Sequence, residues 1–491
     1  MRGQGLAKCQ KLRISALFSA NHSEEYVFMT RSQRYFSEMK TKRVAFIGVG
    51  VSHLALIRLF LSKGIKVVIC DQKEKDDFDE AVYEEFVAKG ADFSLGKDYI
   101  NEIYNCDVVF RTPGFYFNRP ELEKARQMGI VVTSEMETFF DLCPCRTYGV
   151  TGSDGKTTTT TLISEFLKAE GKRVHIGGNI GKALLPIVET ISEADVAVVE
   201  LSSFQLISMR ESPDVAGITN IRPNHLNVHK DMQEYIDSKK NLILHQNAYS
   251  KTVLSYDDET TRSLNDCVRG NLRYFSRTQM VDNGSFLRDD GMLCYNDHGK
   301  VTEYVHMKDI RIPGMHNVED YLTAIAMTYG DVSVQSVVNV AKTFGGVEHR
   351  IEFVRELDGV KYYNNSIASS PTRVLACLDA FDQKQIMIQG GSDKGISFAP
   401  MADALCEKVK VLILMGETAQ KIEDAVKASE KYDPANIRIV RVANMAEAVE
   451  IAHHYAVEGD IVSLSPACAS FDMYRMFEDR GRHFKQLVNE L

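Results

Sequence analysis

No uninterrupted apolar run in this 491-residue chain approaches the roughly 18 to 20 residues that span a bilayer, so no transmembrane segment is expected. The pairing C-x-x-C is also missing. Ten cysteines are scattered, and the nearest two, Cys143 and Cys145, flank a proline at a spacing foreign to zinc; reduced, mostly buried thiols in a cytosol are the expectation. Nor is there an excess of positive charge. A formal net charge of −9 argues against a general nucleic-acid binder and leaves room for a local basic pocket around a phosphorylated small molecule. The N-terminal stretch lacks the apolar core of a signal peptide, and its Arg2, Lys8, Lys11 and Arg13 are joined by Glu24 and Glu25, an imperfect match to a transit peptide. Met39 opens MKTKRVAFIGVG, a basic start running directly into a strand. Residues 1–38 are therefore expected to be an upstream read-through or a disordered tail, with Met39 the initiator.

What is present is the balance of a soluble globular protein, 44% apolar and 25% charged, long enough for roughly three to four domains. From Arg43 the order is apolar strand, glycine turn, helix, strand: RVAFIGVG, HLALIRLFLSKG, then KVVIC ending at Asp71. Gly48-x-Gly50 with an acid about 20 residues on resembles a dinucleotide fingerprint, yet His53 stands at the third glycine position, and a ligand-free tight turn fits equally well. A further strand, CDVVFRTPGF, sets Thr112, Pro113 and Gly114 at its C-terminal end, where open α/β sheets bind ligands. A second unit begins near Phe139 with RTYGVTG, TTTTTLISEFLKAEG, KRVHIGG and DVAVVELSS. Residues 262–312 read as inserted antiparallel hairpins. From His349, VKYYNN, QIMIQGG, KVLILMG, IRIVRV and DIVSLSP alternate with helical segments. The expected fold is α/β with three domains in series after the 1–38 extension. These are a Rossmann-like unit at 39–138, a central P-loop ATPase-type unit at 139–346 and a Rossmann-like unit at 347–491.

The stretch VTGSDGKTTTTTL almost spells a phosphate-binding loop, but Val150 stands where G-x-x-x-x-G-K-[ST] has its first glycine. The chemistry needs successive backbone N–H groups, a lysine at the phosphates, a hydroxyl for Mg²⁺ and a helix behind them. Gly152, Gly155, Lys156 and Thr157 supply those between a strand and a helix. Glu200 closes the strand DVAVVE beside the loop, where a carboxylate suits Mg²⁺. His225 and His229 precede a helix carrying Lys239 and Lys240, and Asn317, His349 and Arg350 lie near domain junctions. Composition alone assigns these no role, since such histidines pack or face water as readily as they bind.

The blocks TGSDGKTT, GGNIG, ELSSFQL, NHLNVHKDMQEYIDSK, GMHN, GGVEHRIE, GGSDKG and SPACASFDMYRMFEDRG occur in the order found in the Mur ligases, so the chain from Met39 to Leu491 resembles that family. There the loop reads G-[ST]-x-G-K-[ST], and Val150 is the family form. The resemblance implies an ATP-dependent amide ligase that activates UDP-N-acetylmuramoyl-L-alanine as an acyl phosphate and adds glutamate. ELSSFQL and the last block point to the D-glutamate-adding members, with L-glutamate or another acceptor as the alternative. It further implies a cytoplasmic monomer in peptidoglycan precursor synthesis, with no nucleic acid and no membrane insertion. ATP would lie on Gly152, Ser153, Asp154, Gly155, Lys156, Thr157 and Thr158, with Asn317, His349 and Arg350 on the adenine side. By the same resemblance two Mg²⁺ ions are held by Thr157, Glu200, His225 and a carbamylated Lys239, with Lys240 the runner-up for the carbamate. The uridine diphosphate end falls at Gly48, Gly50, Ser52, Asp71, Gln72 and Gly114, the muramoyl group near Asn179, and glutamate at Ser369, Lys394, Ser470, Phe471 and Phe477.

The chain departs from the family where N-D-S-K-A-T-N becomes NNSIASS: Asn365 replaces the aspartate, Ile367 the lysine and Ser369 the threonine. Asp320 replaces the second asparagine of the adenine motif, and Asn224 the acid before His225. An NAD-dependent dehydrogenase, supported by Gly48, Gly50 and Asp71, leaves the central loop unexplained. Folylpolyglutamate and cyanophycin synthetases lack the first unit and the SPACASFD block. A non-catalytic scaffold has no use for Lys239.

Overall fold

A computed structural model describes residues 29–225 and 228–491; the side chains of Val51 and Ser52 fall outside that description, as does the expected extension over residues 1–28. Contacts divide the described chain into two units. The first runs to Cys145 and includes Lys182–Glu193 and Ile207–Arg210; the second comprises Arg146–Gly181, Ala194–Leu206 and Glu211–Leu491.

In the first unit, β1 (Arg43–Ile47), β2 (Lys66–Asp71), β3 (Asp92–Leu95), β4 (Val108–Arg111) and β5 (Val131–Thr133) form a parallel sheet in the order β3-β2-β1-β4-β5. The apolar runs RVAFI and KVVICD are buried along most of their length, as strands covered on both faces must be. Chain order reverses between β1 and β4, which sets the turns after them at the topological switch point. The helix Arg31–Met39 corrects the expectation of a disordered tail over residues 31–38. Thr30 and Gln33 form a capping box at its start, and Phe36, 2% exposed, meets the ring of Phe60 edge-on at 5.8 Å.

The second unit carries two sheets. In the first, β6 (Arg146–Thr151), β7 (Val174–Gly178), β8 (Val196–Glu200), β9 (Val215–Ile218), β10 (Lys251–Ser255), β11 (Asn271–Ser276), β12 (Asn283–Leu287), β13 (Met292–Asp297) and β14 (Lys300–His306) are ordered β14-β13-β12-β11-β10-β9-β6-β8-β7. The segment expected to be inserted antiparallel hairpins holds them in part: β12–β13 and β13–β14 are antiparallel, whereas β10–β11 and β11–β12 pair in parallel, so the segment continues this sheet. The helix Lys156–Ala169 contains a threonine run, poor in helix propensity, yet burial of Thr158, Thr159, Thr160, Leu162, Ile163, Phe166 and Leu167 overrides it. The helix Met315–Thr328 packs against it. The other sheet contains β15 (Glu352–Leu357), β16 (Val360–Asn364), β17 (Gln385–Gly390), β18 (Val409–Met415), β19 (Arg438–Arg441) and β20 (Ile461–Leu464), ordered β15-β16-β20-β17-β18-β19. All of its pairs are parallel except β15–β16.

Candidate active site

The phosphate loop connects β6 to the helix Lys156–Ala169, and glycine is required twice for steric reasons. Gly155 has φ 78°, and a Cβ there would lie 2.3 Å from Asp320 Oδ1; one on Gly152 would lie 1.8 Å from Thr219 Oγ1. The backbone of Asp154 donates to Asn220 Oδ1 at 3.0 Å, and Ser153 Oγ donates to Arg222 O and contacts Tyr235 Oη at 3.0 Å, so β9's following loop braces the turn. Lys156 folds back, its Nζ donating to Gly152 O at 3.0 Å and Ser153 O at 2.8 Å. Burial lowers its pKa, while Glu200 and Asp154 oppose the shift. Thr157 and Thr158 follow in the helix's first turn.

Opposite the loop, Glu200 at the end of β8 is 1% exposed. Its Oε1 accepts from Asn179 Nδ2 at 2.7 Å, and its Oε2 is buried with no partner. An orphaned carboxylate oxygen at a strand end costs folding energy unless a cation meets it. Lys239, on the helix Met232–Leu244, is also 1% exposed; its Nζ donates to Gly152 O at 2.8 Å and Thr151 Oγ1 at 3.3 Å. Burial and then the neighbouring Lys156 charge push its pKa well down. Lys240 is only half-buried. His225, at φ 56°, is held below its ordinary pKa first by burial and then by the charges of Lys156 and Lys239. His229 instead stacks on Phe204 and bonds Ser203 Oγ at 2.9 Å, a packing role. Among the described residues no three His, Cys, Asp or Glu side chains cluster as ligands. The set brought together here is one carboxylate, one histidine, a threonine hydroxyl and two lysines, which fits Mg²⁺ only if other oxygens join it.

Of the residues expected around the nucleotide base, Asn317 is 7% exposed and donates to Pro313 O. The Nδ1 of His349 meets Asn364 Nδ2 at 2.9 Å and its ring packs on Gly481. Arg350 is the one of that pair whose charge reaches Lys156 and Asp320, and its Nε is buried without a partner. Asp320 itself, fully inside, accepts from Thr159 Oγ1 at 3.0 Å, and burial raises its pKa well above the carboxylate range.

In the first unit Gly48, φ 78°, turns the chain after β1, and Asp71 accepts from Val49 N and Lys73 N, both at 3.0 Å, with its two oxygens. His53, 1% exposed, contacts Gly48 O through Nδ1 at 2.9 Å, and burial lowers its pKa to about 4. The imidazole thus fills the space a third glycine would leave open. Gln72 and Gly114 are exposed near the sheet's C-terminal edge, and Ser52 lies outside the described side chains. Beneath the Thr112–Gly114 turn the wholly buried Arg111 donates to Ser208 Oγ at 2.6 Å, and Ser208 donates to Glu137 at 2.8 Å. No local motif signals that network, because its members are far apart in sequence.

In the last domain Ser369 is half-buried, Ser470 is 2% exposed, Phe471 is 74% exposed and Lys394 is exposed. The loop after β17 is tied to the loop after β20 by Ser392 N donating to Ala469 O and Asp472 N to Ser392 Oγ, which brings Lys394 and Ser470 to one edge. Phe477 O accepts from Ser366 Oγ at 2.7 Å. Arg480, 0% exposed, binds Ser366 Oγ, Ser366 O, Ala469 O and Cys468 O, clamping the Ser366 turn to the Ser470 loop. A buried arginine reads like a solvated one in sequence.

Three family models match the chain: the Mur ligase MurD-like N-terminal domain over residues 42–134, the Mur ligase middle domain over 150–328 and the Mur ligase glutamate ligase domain over 349–468. UDP-N-acetylmuramoylalanine--D-glutamate ligase of Acetivibrio thermocellus is 44% identical over 464 residues, 94% of this chain and 99% of that protein. Its counterpart in Ruminiclostridium cellulolyticum is 45% identical over 461 residues, again 94% and 99%. Among solved structures, UDP-N-acetylmuramate-alanine ligase MurC of Thermotoga maritima is 18% identical with a TM-score of 0.56, covering 91% of this chain and 99% of that one. A pseudomurein peptide ligase type C of Methanothermus fervidus gives 18% and 0.52 over the same shares.

Proposed function

The chain belongs to the Mur ligase family, and from that premise we infer that it is the ATP-dependent ligase that joins D-glutamate to UDP-N-acetylmuramoyl-L-alanine in peptidoglycan precursor synthesis. A carboxylate oxygen of the alanyl group attacks the γ-phosphorus, the bond to the bridging oxygen breaks, and ADP leaves with the electron pair. The glutamate amine then attacks the acyl carbon, loses a proton, and expels phosphate. Both steps bring anions together, so the protein must supply fixed positive charge and alignment.

The observation that carries this reading is the orphaned Glu200 Oε2, buried beside a glycine-built phosphate loop and two lysines. Lys156 swings from its carbonyl partners to the phosphates. Glu200, Thr157 and a carbamate on Lys239 would hold one Mg²⁺, with His225 toward a second, and such ions neutralise phosphate charge when bound. Only an uncharged amine adds CO₂, releasing a proton, and the burial of Lys239 against Lys156 favours that form. Asn317, His349 and Arg350 serve the nucleotide. Gly48, Gly50, Ser52, Asp71, Gln72 and Gly114 serve the uridine diphosphate, Asn179 the muramoyl group, and Ser369, Lys394, Ser470, Phe471 and Phe477 the glutamate. The domains run 39–138, 139–346 and 347–491, and the enzyme works as a cytoplasmic monomer. Among the described residues no helix is long and apolar enough to cross a membrane.

Phosphate release from ATP with UDP-N-acetylmuramoyl-L-alanine, tested with D- and L-glutamate in parallel, decides the reading. D-glutamate alone supports turnover, and Lys156→Ala loses on the order of a hundredfold or more. Release with neither enantiomer, or equally with both, overturns it.

A further inference from the structure

Arg111 closes β4 and is 1% exposed, a cation enclosed within the first unit. Burial lowers its pKa to about 10, with Glu137 opposing the shift, so the charge persists at neutral pH. Its donors turn toward the residues that follow it. Nη1 reaches the carbonyls of Thr112 and Phe115, each at 3.5 Å, and Phe115 N closes the turn on Thr112 O at 3.0 Å. Nη2 donates to Ser208 Oγ at 2.6 Å, and Ser208 lies 97 residues further along the chain, in the segment Ile207–Arg210 that belongs to the same unit. Ser208 Oγ donates in turn to Glu137 Oε2 at 2.8 Å, which also accepts from Ser134 Oγ at 2.9 Å at the start of the helix Glu135–Leu142. The ring of Phe117 lies 5.5 Å from the guanidinium and encloses it from that side as well. The turn that Arg111 holds adjoins the one after β1, since a Cβ on Gly48 would lie 3.7 Å from Thr112 Cγ2. These are the two turns at the sheet's switch point.

We propose that Arg111 and Ser208 are positioning residues for the nucleoside diphosphate end of the UDP-substrate, fixing the Thr112–Phe115 turn at the height at which the crevice beside the Gly48 turn takes the diphosphate. This rests on the function inferred above. Pro113 has no N–H and Gly114 no side chain, so little within the turn itself holds that height. Arg111 supplies the support: one nitrogen of its planar fork meets two carbonyls of the turn while the other is committed to Ser208, and a fork held at both ends cannot tilt without breaking a charge-assisted bond. Ser208 is the pivot, because its single oxygen accepts from the arginine and donates to the carboxylate. Without that hydroxyl, the attraction between the guanidinium and Glu137 draws the fork away from the carbonyls and the turn follows. Diphosphate binding tolerates little of this movement, since hydrogen bonds weaken steeply with distance and angle.

Ser208→Ala removes one oxygen and leaves Arg111 in place. In calorimetric titration of the full chain with uridine diphosphate, the dissociation constant of this variant is raised by roughly five- to thirtyfold. The Michaelis constant for UDP-N-acetylmuramoyl-L-alanine rises with it, while kcat and the Michaelis constant for ATP stay within about threefold. Ser208→Thr, which keeps the hydroxyl, recovers most of the affinity, a recovery that general loosening of the fold does not produce. Arg111→Met loses more, but it also strips a buried hydroxyl and two carbonyls of their donor, so Ser208→Ala is the deciding variant. An unchanged uridine diphosphate constant in Ser208→Ala overturns the proposal, as does an equal loss of affinity for a non-hydrolysable ATP analogue or a failure of threonine to recover the binding. If the unaltered chain binds uridine diphosphate but releases no phosphate with D-glutamate, the functional reading fails, and the titration still decides the role of Ser208.

Discussion

Lys239 and Lys240 are neighbours on one helix, yet only Lys239 reaches the phosphate loop, with Nζ on Gly152 O. A helix turns each successive side chain by about 100°, so a ligand role admits one of the two. Lys239→Ala should be nearly inactive and partly rescued by acetate or formate, which offer an oxygen ligand in the vacated space. Lys240→Ala should keep turnover near the unaltered value, and the reverse pattern in the phosphate-release assay would shift the register by one. Lys394 presents the opposite case, an exposed cation on a glycine-rich loop. If cleft closure desolvates it against the glutamate carboxylate, the contact is worth ~1.5 to 3 kcal/mol, and Lys394→Met raises the glutamate Michaelis constant by roughly 10- to 150-fold with little change for ATP. An unchanged constant removes it from the site. Glu200 was legible because a carboxylate ending an apolar strand beside a glycine turn is unusual. Arg480 was not, since its meaning lies in the carbonyls it meets.

The helix Glu135–Leu142 and the turn Leu185–Thr190 depend on one carboxyl group. Glu135 Oε1 accepts from both Leu184 N and Leu185 N at 2.8 Å, and burial raises the pKa to about 7. The unfolded chain releases this proton near the ordinary carboxylate value, so stability falls as pH rises from about 4.3 to about 7, by on the order of 3 kcal/mol. Glu135→Gln keeps an oxygen for both N–H groups and carries no charge. Its melting temperature should vary less than the unaltered protein's between pH 5 and 8, with the larger gain at pH 8; parallel curves would refute it. Strands such as β1 and β8 could be read from their apolar runs. The continuation of the central sheet through β11 and β12 could not, because parallel and antiparallel pairing of short runs share one local pattern and differ only in distant partners.

At the scale of the whole molecule, the domain order was visible in its alternating strands and helices, whereas the helix Arg31–Met39 was not. Its sequence is polar on average, and it is held by buried Ser32, Phe36 and Met39, with Phe36 beside Phe60 and under Lys63 Nζ, 4.7 Å from the ring. Phe36→Ala should cost about 3 to 5 kcal/mol and lower the urea midpoint of the first unit, as should a chain beginning at Met39. An unshifted midpoint would return the segment to the status of a tail. The two phosphate-loop glycines bear on how this protein can evolve. Because Thr219 and Asp320 occupy the space of a methyl group at positions 152 and 155, a descendant that abandoned ATP would still be compelled to keep both. Lys156, tied only to carbonyls, and Glu200, with an oxygen awaiting a cation, would be released to drift. A genomic survey that scored the loop by its glycines would count extinct activities as living ones, and the letters at 156 and 200 are the ones to read.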